Sequence, residues 1–342
     1  MTSFSRFAKA TESVRYDGFG GVTQETLTKN VFQPFTAKTG IAVNQGSFSS
    51  EVELLSKITA DGLSGYSFYT SSDQSNCLRF IDRGFVEPLD ENKIPRLRDV
   101  IKRPLDEYRK LTKTGAIAAV PYYLSGVMIA YNREKIDKAE LESKGANILL
   151  DPKYKDHLGG ENMWLRRIWY AALQSGQDPN NIKDMNAIWE KIRESKKVVF
   201  KYWNTGADHI QLFSSGEIFL SDGWFSPIRI LRRQGHPIDG WPAKGISVGF
   251  GSFVALKGAP MDAFYEMVDI LLRPEVQIAQ SIATGNVTML DPTKVQLPDE
   301  VRALIGFDPE GRLEGYSVPD PFYWTSNADA WQREYQRVIA RG

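Results

Sequence analysis

The residues in this sequence that could take part in chemistry are, by type and arrangement, suited to binding a ligand rather than to catalysis. Arg166 and Arg167 are adjacent in a predicted helix, and guanidinium groups form charge-assisted, often bidentate hydrogen bonds with carboxylates. The alternative is that both are solvated helix charges. His157, His209 and His236 lack metal-ligand spacing, so we predict no metal site. No nucleophile elbow, P-loop or dinucleotide fingerprint occurs, and we predict no cofactor.

Two tryptophans follow predicted strands in the company of polar side chains. Trp203 precedes Asn204, and Trp224 comes two residues after Asp222. Large rings stack on small polar ligands, and they also pack in cores. Asp222 could accept hydrogen bonds from a ligand hydroxyl or amine, or it could cap a turn. The position of these residues at strand ends points to a pocket, and packing in the core is the alternative.

The elements that would position these residues begin as a regular alternation of strands and helices. The first predicted strands are Val14–Tyr16, Ile41–Val43 and Tyr66–Tyr69. One helix between them ends at Gly40, a second begins after an N-cap at Ser50, and a third is capped by Asp73. This order predicts a parallel sheet with helices on both faces. Ligands gather at the carboxyl ends of such strands, which here are Gly18–Gly21 and Ser71–Asp73.

The remainder of the chain predicts a second α/β region. Its predicted helices are Met185–Ser195, Asp262–Leu272, Glu275–Thr284 and Asn327–Ile339. Its predicted strands are Val198–Phe200, Glu217–Leu220 and Gly249–Leu256.

The stretch Gly115–Asp137 organises these regions. Pro121 cannot donate to a strand ladder, so we expect the strand to break or change partners there, and Gly126 permits backbone conformations that other residues resist. The stretch fits either a crossing between two lobes or one kinked strand. With Gly249–Leu256 as the return crossing, it predicts one lobe of residues 1–124 with 253–305 and another of residues 125–252 with 306–342.

Length and composition limit the folds, partners and crosslinks that this chain can have. The chain has 342 residues, too many for one ordinary core, and 42 basic residues balance 42 acidic ones, so no global field favours nucleic acid or an anionic membrane. The single cysteine, Cys77, excludes an intramolecular disulfide, and we expect it to be buried. No apolar run reaches the length of a membrane span. Met1–Ser13 lacks the apolar core of a signal peptide, so the chain is either cytoplasmic or a mature exported protein.

Several segments together resemble one family. They are VPYYLSGVMIAYNREKI, LLDPKYKD, SSGEIFLSDGWFS, FVALKGAPMDAFYEMVDILLRPEVQIAQSIATGN and REYQRVIARG. In this order they resemble the periplasmic solute-binding proteins of ABC importers, specifically the spermidine/putrescine-binding group and its opine-binding relatives. The resemblance implies an α/β, two-lobed periplasmic-binding-protein fold of type II, with the crossing strands as hinge and a ligand cleft between the lobes. It also implies a periplasmic location, delivery of the ligand to a membrane permease and no catalysis, so we predict no catalytic residue and no enzymatic activity; we expect a monomer.

The resemblance implies the ligand-binding positions as well. The first-strand loop of the family supplies an aromatic and an acidic group, and here Phe19 keeps the ring beside Gly20 while the carboxylate is absent. The other predicted ligand-binding residues are Ser71, Ser72, Tyr123, Ser125, Arg167, Trp203, Asn204, Asp222, Trp224, Ser226, Ser252 and Asn286.

The arginines bear on the class of ligand. Polyamine binders that this chain resembles carry carboxylates near residue 165, where this sequence has Met163–Arg167. A guanidinium about 4 Å from an ammonium costs roughly 4 kcal/mol at an effective dielectric near 20, whereas each bond to a carboxylate gains about 1.5–3 kcal/mol. We therefore expect a carboxylate-bearing ligand, first an opine (a sugar–amino-acid conjugate), then an amino acid or sugar acid, then a polyamine. An enzyme on a related bilobal scaffold is the second alternative. We assign the carboxylate to Arg167, although either arginine could face it, and expect Arg167→Ala to leave the unliganded melting temperature almost unchanged.

Overall fold

The computed structural model describes residues 13–340, and the chain divides into two compact units. Unit 1 is the described part of Met1–Tyr122 with Gly251–Ala283 and Thr288–Gln296. Unit 2 is Tyr123–Phe250 with Thr284–Val287 and the described part of Leu297–Gly342. The prediction that Met1–Ser13 lacks the apolar core of a signal peptide concerns residues that, apart from Ser13, lie outside the described range.

The division differs from the predicted one mainly at residues 297–305, which belong to unit 2 rather than to unit 1. Glu300 forms an ion pair with Arg229 at 3.4 Å. Ile305 lies beside Gly240, with its Cδ1 atom 3.5 Å from where a Cβ on that glycine would stand. These contacts attach the segment to unit 2 although it follows a stretch of unit 1 in the chain.

Strands and helices alternate along the chain. Within residues 13–340 the strands are β1 (Ser13–Gly18), β2 (Ala42–Ser47), β3 (Phe68–Ser71), β4 (Val120–Asn132), β5 (Gly159–Glu161), β6 (Lys201–Trp203), β7 (Leu220–Trp224), β8 (Ile238–Trp241), β9 (Val248–Ala255) and β10 (Val287–Thr288). The α-helices are α1 (Gly21–Leu27), α2 (Gln33–Thr39), α3 (Glu51–Asp61), α4 (Gln74–Asp82), α5 (Lys102–Arg109), α6 (Lys138–Lys144), α7 (Trp164–Gln174), α8 (Met185–Val198), α9 (Gly206–Ser214), α10 (Phe225–Arg233), α11 (Met261–Leu271), α12 (Pro274–Thr284), α13 (Asp299–Arg302) and α14 (Pro321–Ala340). A π-helical segment, Thr28–Phe32, joins α1 to α2, and short 3₁₀ helices occupy Glu91–Lys93, Pro95–Asp99, Gly145–Leu150 and Pro152–Tyr154. Among the described helices, none is both long and apolar enough to cross a membrane.

The sheet of unit 1 has the strand order β2-β1-β3-β9. Strand β1 pairs in parallel with β2 and β3, and β9 runs antiparallel to β3 with Ser252 opposite Ser71. The carboxyl ends of β1, β2 and β3 therefore meet along one side of the sheet. We call this side the unit 1 edge, formed by Gly18–Gly20, Ser47, Ser71–Ser72 and Ser252.

The helices of unit 1 begin and end where local sequence signals predict. The Ser50 hydroxyl accepts from the backbone N–H of Glu53 at the start of α3, and the Asp73 carboxylate accepts from the N–H of Asn76 at the start of α4. Gly40 ends α2 in the left-handed conformation, with φ 74°, which glycine adopts without a steric penalty. All three predictions are confirmed.

The strands of unit 2 also end on a common side. Strand β5 pairs in parallel with β6, and the Leu158–Leu220 bridge next to it is parallel to β7. Strand β4 runs antiparallel to β7 with Val127 opposite Trp224, so Ser125 lies beyond the end of β7. We call this side the unit 2 edge, formed by Ser125, Glu161–Arg167, Trp203–Asn204 and Trp224–Ser226.

Aromatic side chains fill the core of each unit. In unit 1, Phe253 stacks on Phe264 at a centroid distance of 5.4 Å. In unit 2, Trp324 of α14 stacks on Trp169 of α7 at 5.6 Å and meets Trp331 edge to face at 5.2 Å. Each such ring buries on the order of 150–250 Å², so these clusters hold α11 against β9 in unit 1 and α14 against α7 in unit 2.

The central strand does not break at Pro121, which leaves the other predicted alternative, a change of partners: β4 pairs with β9 and β10 as well as with β7 and β8. Strand β4 runs unbroken through Pro121, and the chain enters unit 2 at Tyr123 within it. Gly126 is not among the residues with positive φ. A Cβ there would lie 2.7 Å from Cζ of Phe225 and 2.9 Å from Cγ1 of Val248. The glycine is therefore required by space rather than by an unusual backbone.

Three predicted boundaries are also wrong. Helix α8 continues to Val198, because Val198 is buried with Ile188 and Ile192 of the same helix, so no strand occupies Val198–Phe200. Strand β7 begins at Leu220, where the predicted strand Glu217–Leu220 ends. Helix α14 begins at Pro321, six residues before the predicted start, because the Asp320 carboxylate accepts from two backbone N–H groups of its first turn.

Candidate functional site

The unit 2 edge contains a buried pair of opposite charges. Asp222, at the carboxyl end of β7, is completely buried and forms an ion pair with Arg167. Its Oδ1 atom also accepts from the backbone N–H of Glu161 at 2.9 Å. Burial lowers the pKa of Arg167 below its ordinary value, and among the described residues no acceptor lies within reach of its Nε atom. Arg167 is thus committed to a partner within the protein.

A second arginine–carboxylate pair lies beside the first. Arg166 donates from Nε to Glu161 at 3.1 Å and from Nη1 to the hydroxyl of Ser247. The other oxygen of Glu161 accepts from the indole nitrogen of Trp224 at 3.1 Å. The side chain of Arg166 is 13% exposed, compared with 5% for Arg167. Of the two adjacent arginines, Arg166 is therefore the one with more side-chain surface accessible to a ligand.

The two predicted stacking tryptophans differ in their surroundings. Trp203 is fully buried, donates from Nε1 to the hydroxyl of Ser221 at 3.0 Å, and meets Trp224 edge to face at 5.2 Å. His209 packs against Trp203 at 4.8 Å, and burial lowers its pKa to about 3. Trp224 stays partly exposed. Trp203 thus has the surroundings of a core ring that supports Trp224, and Trp224 is the ring available for stacking.

The remaining predicted residues of unit 2 are spread over several segments. Ser125 and Ser226 are partly exposed at the edge, and Asn204 is exposed and accepts from the Asn162 amide at 3.1 Å. Tyr123 is buried in β4. Asn286 lies in the short segment Thr284–Val287 of unit 2.

In unit 1, the predicted aromatic residue lies on the surface. Phe19 is 40% exposed and meets Phe48 edge to face at 4.7 Å. Gly20 next to it has φ 71°, a conformation that other residues resist, so the loop after β1 turns sharply and presents the ring. Ser252 is buried opposite Ser71.

A carboxylate that the sequence analysis missed lies behind the two predicted serines. Glu51, the first residue of α3, accepts from the Ser71 hydroxyl at 2.6 Å and, with its other oxygen, from the Ser72 hydroxyl at 2.6 Å and backbone N–H at 3.2 Å. Burial, and secondly the charge of Asp73, raise the pKa of Glu51 to about 8. In the sequence, Glu51 looks like any acidic residue in the first turn of a helix. Only the pairing of strand with helix reveals its partners.

The part of the chain that the structure describes contains no group of three or more His, Cys, Asp or Glu side chains arranged to hold a metal ion. The groups gathered at the two edges are hydroxyls, amides, indole rings and paired charges. Such groups recognise small polar molecules by hydrogen bonding and stacking.

Comparison with known proteins identifies relatives with this architecture. The sequence profile described as "Bacterial extracellular solute-binding protein" matches residues 30–307. The putrescine/cadaverine-binding protein of Pseudomonas aeruginosa is 21% identical over 312 residues, which cover 86% of this chain and 85% of that protein. These matches confirm the predicted resemblance, and they are to binding proteins rather than to enzymes.

Solved structures confirm the predicted α/β periplasmic-binding-protein fold. An ABC transporter substrate-binding protein from Bradyrhizobium japonicum superposes with a TM-score of 0.79 at 18% identity, covering 96% of this chain and 99% of the other. The PBP MotA from A. tumefaciens B6, in complex with glucopine, superposes with a TM-score of 0.74 at 18% identity, covering 95% and 99%.

Proposed function

The chain belongs to the bacterial extracellular solute-binding proteins, and from this premise we propose that it captures a small polar solute bearing a carboxylate and delivers it to an ABC permease in the membrane. An opine or a similar sugar–amino-acid conjugate is the ligand class we favour. The observation that carries this proposal is the guanidinium of Arg166 at the unit 2 edge, which is fixed by hydrogen bonds within the protein and still has a donor to offer a ligand.

Arg166 is oriented before any ligand arrives. Glu161 and Ser247 accept from Nε and Nη1, and within the described residues no hydrogen bond from Nη2 is found. Because the planar group is already fixed, little side-chain entropy remains to be lost when a carboxylate binds. A carboxylate on the free side gains charge-assisted bonds, each on the order of 1.5–3 kcal/mol. An ammonium placed there meets a positive charge instead.

The neighbours of Arg166 suit a hydroxylated ligand. Trp224, oriented through its bond to Glu161, offers a ring face to the apolar side of a sugar-like chain. Ser226 and Asn204 add neutral donors and acceptors at the same edge. The fold shared with a PBP whose structure contains glucopine is in keeping with this class.

A polyamine is the second candidate. It is favoured by the relative named for putrescine and cadaverine and by two carboxylates near the unit 1 edge, Glu51 and Asp73. In unit 2, however, each of the buried carboxylates Glu161 and Asp222 is already paired with an arginine. The carboxylates of that edge therefore have no net charge to offer a cation.

A calorimetric titration with chain-matched ligands separates the two candidates. Putrescine and 4-aminobutyrate share a four-carbon chain and differ in one terminal group, ammonium or carboxylate; glucopine represents the opines. We expect binding of glucopine or 4-aminobutyrate and little binding of putrescine. Binding of putrescine alone would overturn the proposal.

A substitution then tests the role of the arginine. Arg166→Met should weaken binding of the carboxylate ligand by about 10- to 150-fold, which corresponds to the loss of one charge-assisted bond. The matched control is Arg337→Met, because Arg337 is 65% exposed and pairs with Glu334 on the same helix; the affinity of this variant for the ligand should equal that of the unsubstituted chain. Equal affinity in the Arg166 and Arg337 variants would refute the role of Arg166.

A further inference from the structure

We infer that Glu51 is a positioning residue, which directs the hydroxyl hydrogens of Ser71 and Ser72 and releases a proton when a ligand bearing an ammonium group binds at the unit 1 edge. This inference rests on the proposed function and extends it, because it names the group that unit 1 recognises: a hydrogen-bond donor, such as the amine of an amino-acid conjugate.

The hydrogen bonds of Glu51 determine what the serines can offer. When its carboxyl is ionised, both serine hydroxyls donate inward, to Oε1 and Oε2 at 2.6 Å each. Ser72 Oγ also accepts from the Asn76 amide at 3.1 Å. Ser71 is completely buried, so the partly exposed Ser72 is the serine whose oxygen keeps a lone pair for a ligand. In this state the loop after β3 accepts hydrogen bonds and favours an ammonium or hydroxyl group.

Adding a proton to Glu51 removes an acceptor at one serine. A protonated carboxyl has an O–H donor, and that donor must point at one of the two serine oxygens that surround it. The serine that accepts it turns its own hydrogen to Asp73, whose backbone oxygen lies 3.0 Å from Ser71 Oγ and whose Oδ2 lies 3.4 Å from Ser72 Oγ. A serine lone pair that is free in the ionised state is then occupied, so an ammonium ligand favours loss of the proton.

The groups around Glu51 allow this exchange near neutral pH. Burial and Asp73 raise the pKa of Glu51 to about 8, while the bonds from the two serines oppose the rise. Tyr69 of β3, Cys77 of α4 and Tyr108 of α5 also interact electrostatically with Glu51, but burial raises the pKa of each above its ordinary value. These three remain neutral, so Asp73 is the acidic neighbour that, after burial, contributes to the raised pKa of Glu51.

A buried donor nearby also lacks a partner. The Gln74 side chain, two residues after Ser72, is buried, and its Nε2 atom has no acceptor among the described residues. Buried polar groups are nearly always hydrogen-bonded to protein, water or ligand. An unsatisfied amide beside the serines is what a bound polar solute, or a water held with it, would complete.

The proton release can be measured by calorimetry in two buffers of different ionisation enthalpy. An ammonium within about 4–6 Å lowers a carboxyl pKa by roughly 1–3 units. Because the pKa of Glu51 is about 8, binding at pH 7.4 should release roughly half to four fifths of a proton. The probes are 4-aminobutyrate and glucopine. We expect release from the unsubstituted chain and none from Glu51→Gln, whose amide carries no exchangeable charge. Glu53→Gln is the matched control, because Glu53 lies on the same helix but is bonded to Lys57 at the surface; its release should be unchanged.

Each outcome decides a different question. If neither probe binds the unsubstituted chain, the proposed function fails, and the inference fails with it. If a probe binds without proton release, or if Glu51→Gln releases as many protons, only the inference is overturned. Should Glu51→Gln not fold, the unsubstituted chain still decides: release must disappear at pH 9, where Glu51 is already ionised, and release that persists there refutes the inference.

Discussion

Replacing Arg167 by alanine should destabilise unit 2 in the absence of any ligand. The substitution leaves Asp222, which is completely buried, without its ion-pair partner. The backbone N–H of Glu161 and the hydroxyl of Ser221 would be its remaining donors. Breaking a buried pair from one side costs about 3–5 kcal/mol, because an uncompensated charge stays in the interior.

This free energy corresponds to a large change in melting temperature. Unit 2 has roughly 180 residues, and for domains of that size 1 kcal/mol shifts the melting temperature by about 2–4 °C. Arg167→Ala should therefore melt about 6–20 °C lower, measured without ligand by circular dichroism and by urea unfolding. From the sequence alone we expect almost no change, because there the guanidinium of Arg167 is assigned to a ligand rather than to Asp222.

A double-mutant cycle identifies the cause. Asp222→Asn removes the charge but keeps the acceptor for Glu161, so Arg167→Met combined with Asp222→Asn should recover most of the loss, as neutral replacements of buried pairs often do. A loss below about 1 kcal/mol in Arg167→Ala, together with abolished ligand binding, would refute this reasoning and restore Arg167 as the ligand-facing arginine.

Three further outcomes are expected. The pKa of Glu51 is about 8 in the folded chain and ordinarily 4.5, so between these pH values the folded state holds a proton that the unfolded state has lost. The free energy of unfolding should therefore fall by on the order of 5 kcal/mol as the pH rises from about 5 to 8. Urea titrations at several pH values measure this fall, and Glu51→Gln should abolish it. Gly126→Ala places a Cβ 2.7 Å from the Phe225 ring and should lower the free energy of unfolding by about 1–3 kcal/mol in the same assay. An unchanged urea midpoint would show that the Phe225 ring moves aside without cost. Buried Cys77, whose pKa is raised by burial, should resist a thiol reagent in the native chain and react at once in urea, and rapid native labelling would contradict its burial.

The features that the sequence predicts correctly depend on near neighbours. A helix cap needs a side-chain oxygen two or three residues before the N–H it accepts, so Ser50 and Asp73 are recognisable without a structure. The strand predicted at Val198–Phe200 fails because three apolar residues fit the end of a helix and the start of a strand equally well. There the outcome depends on the burial of Val198 against its own helix face.

The candidate site was harder to predict because its partners are distant in the chain. Ser71 and Ser72 follow Glu51 by about twenty residues, and Arg167 precedes Asp222 by 55. Residue types show that each group needs a partner, but not which one satisfies it. Whether an arginine pairs with a ligand or with the protein depends on the sheet, because the sheet brings the end of β5 beside the end of β7.

The discontinuity of unit 1 has a consequence for the newly made chain. Its segments Gly251–Ala283 and Thr288–Gln296 follow the first segment only after a long stretch of unit 2, so at about 5–20 residues per second the ribosome needs on the order of 10–30 s to supply them. Until then β3 has β1 on one side but lacks β9 on the other. An unpaired strand edge of this kind invites association with other chains. The first 122 residues therefore emerge as a fragment that a chaperone must protect, or that the cell must keep apart from its own copies, until the return strand arrives.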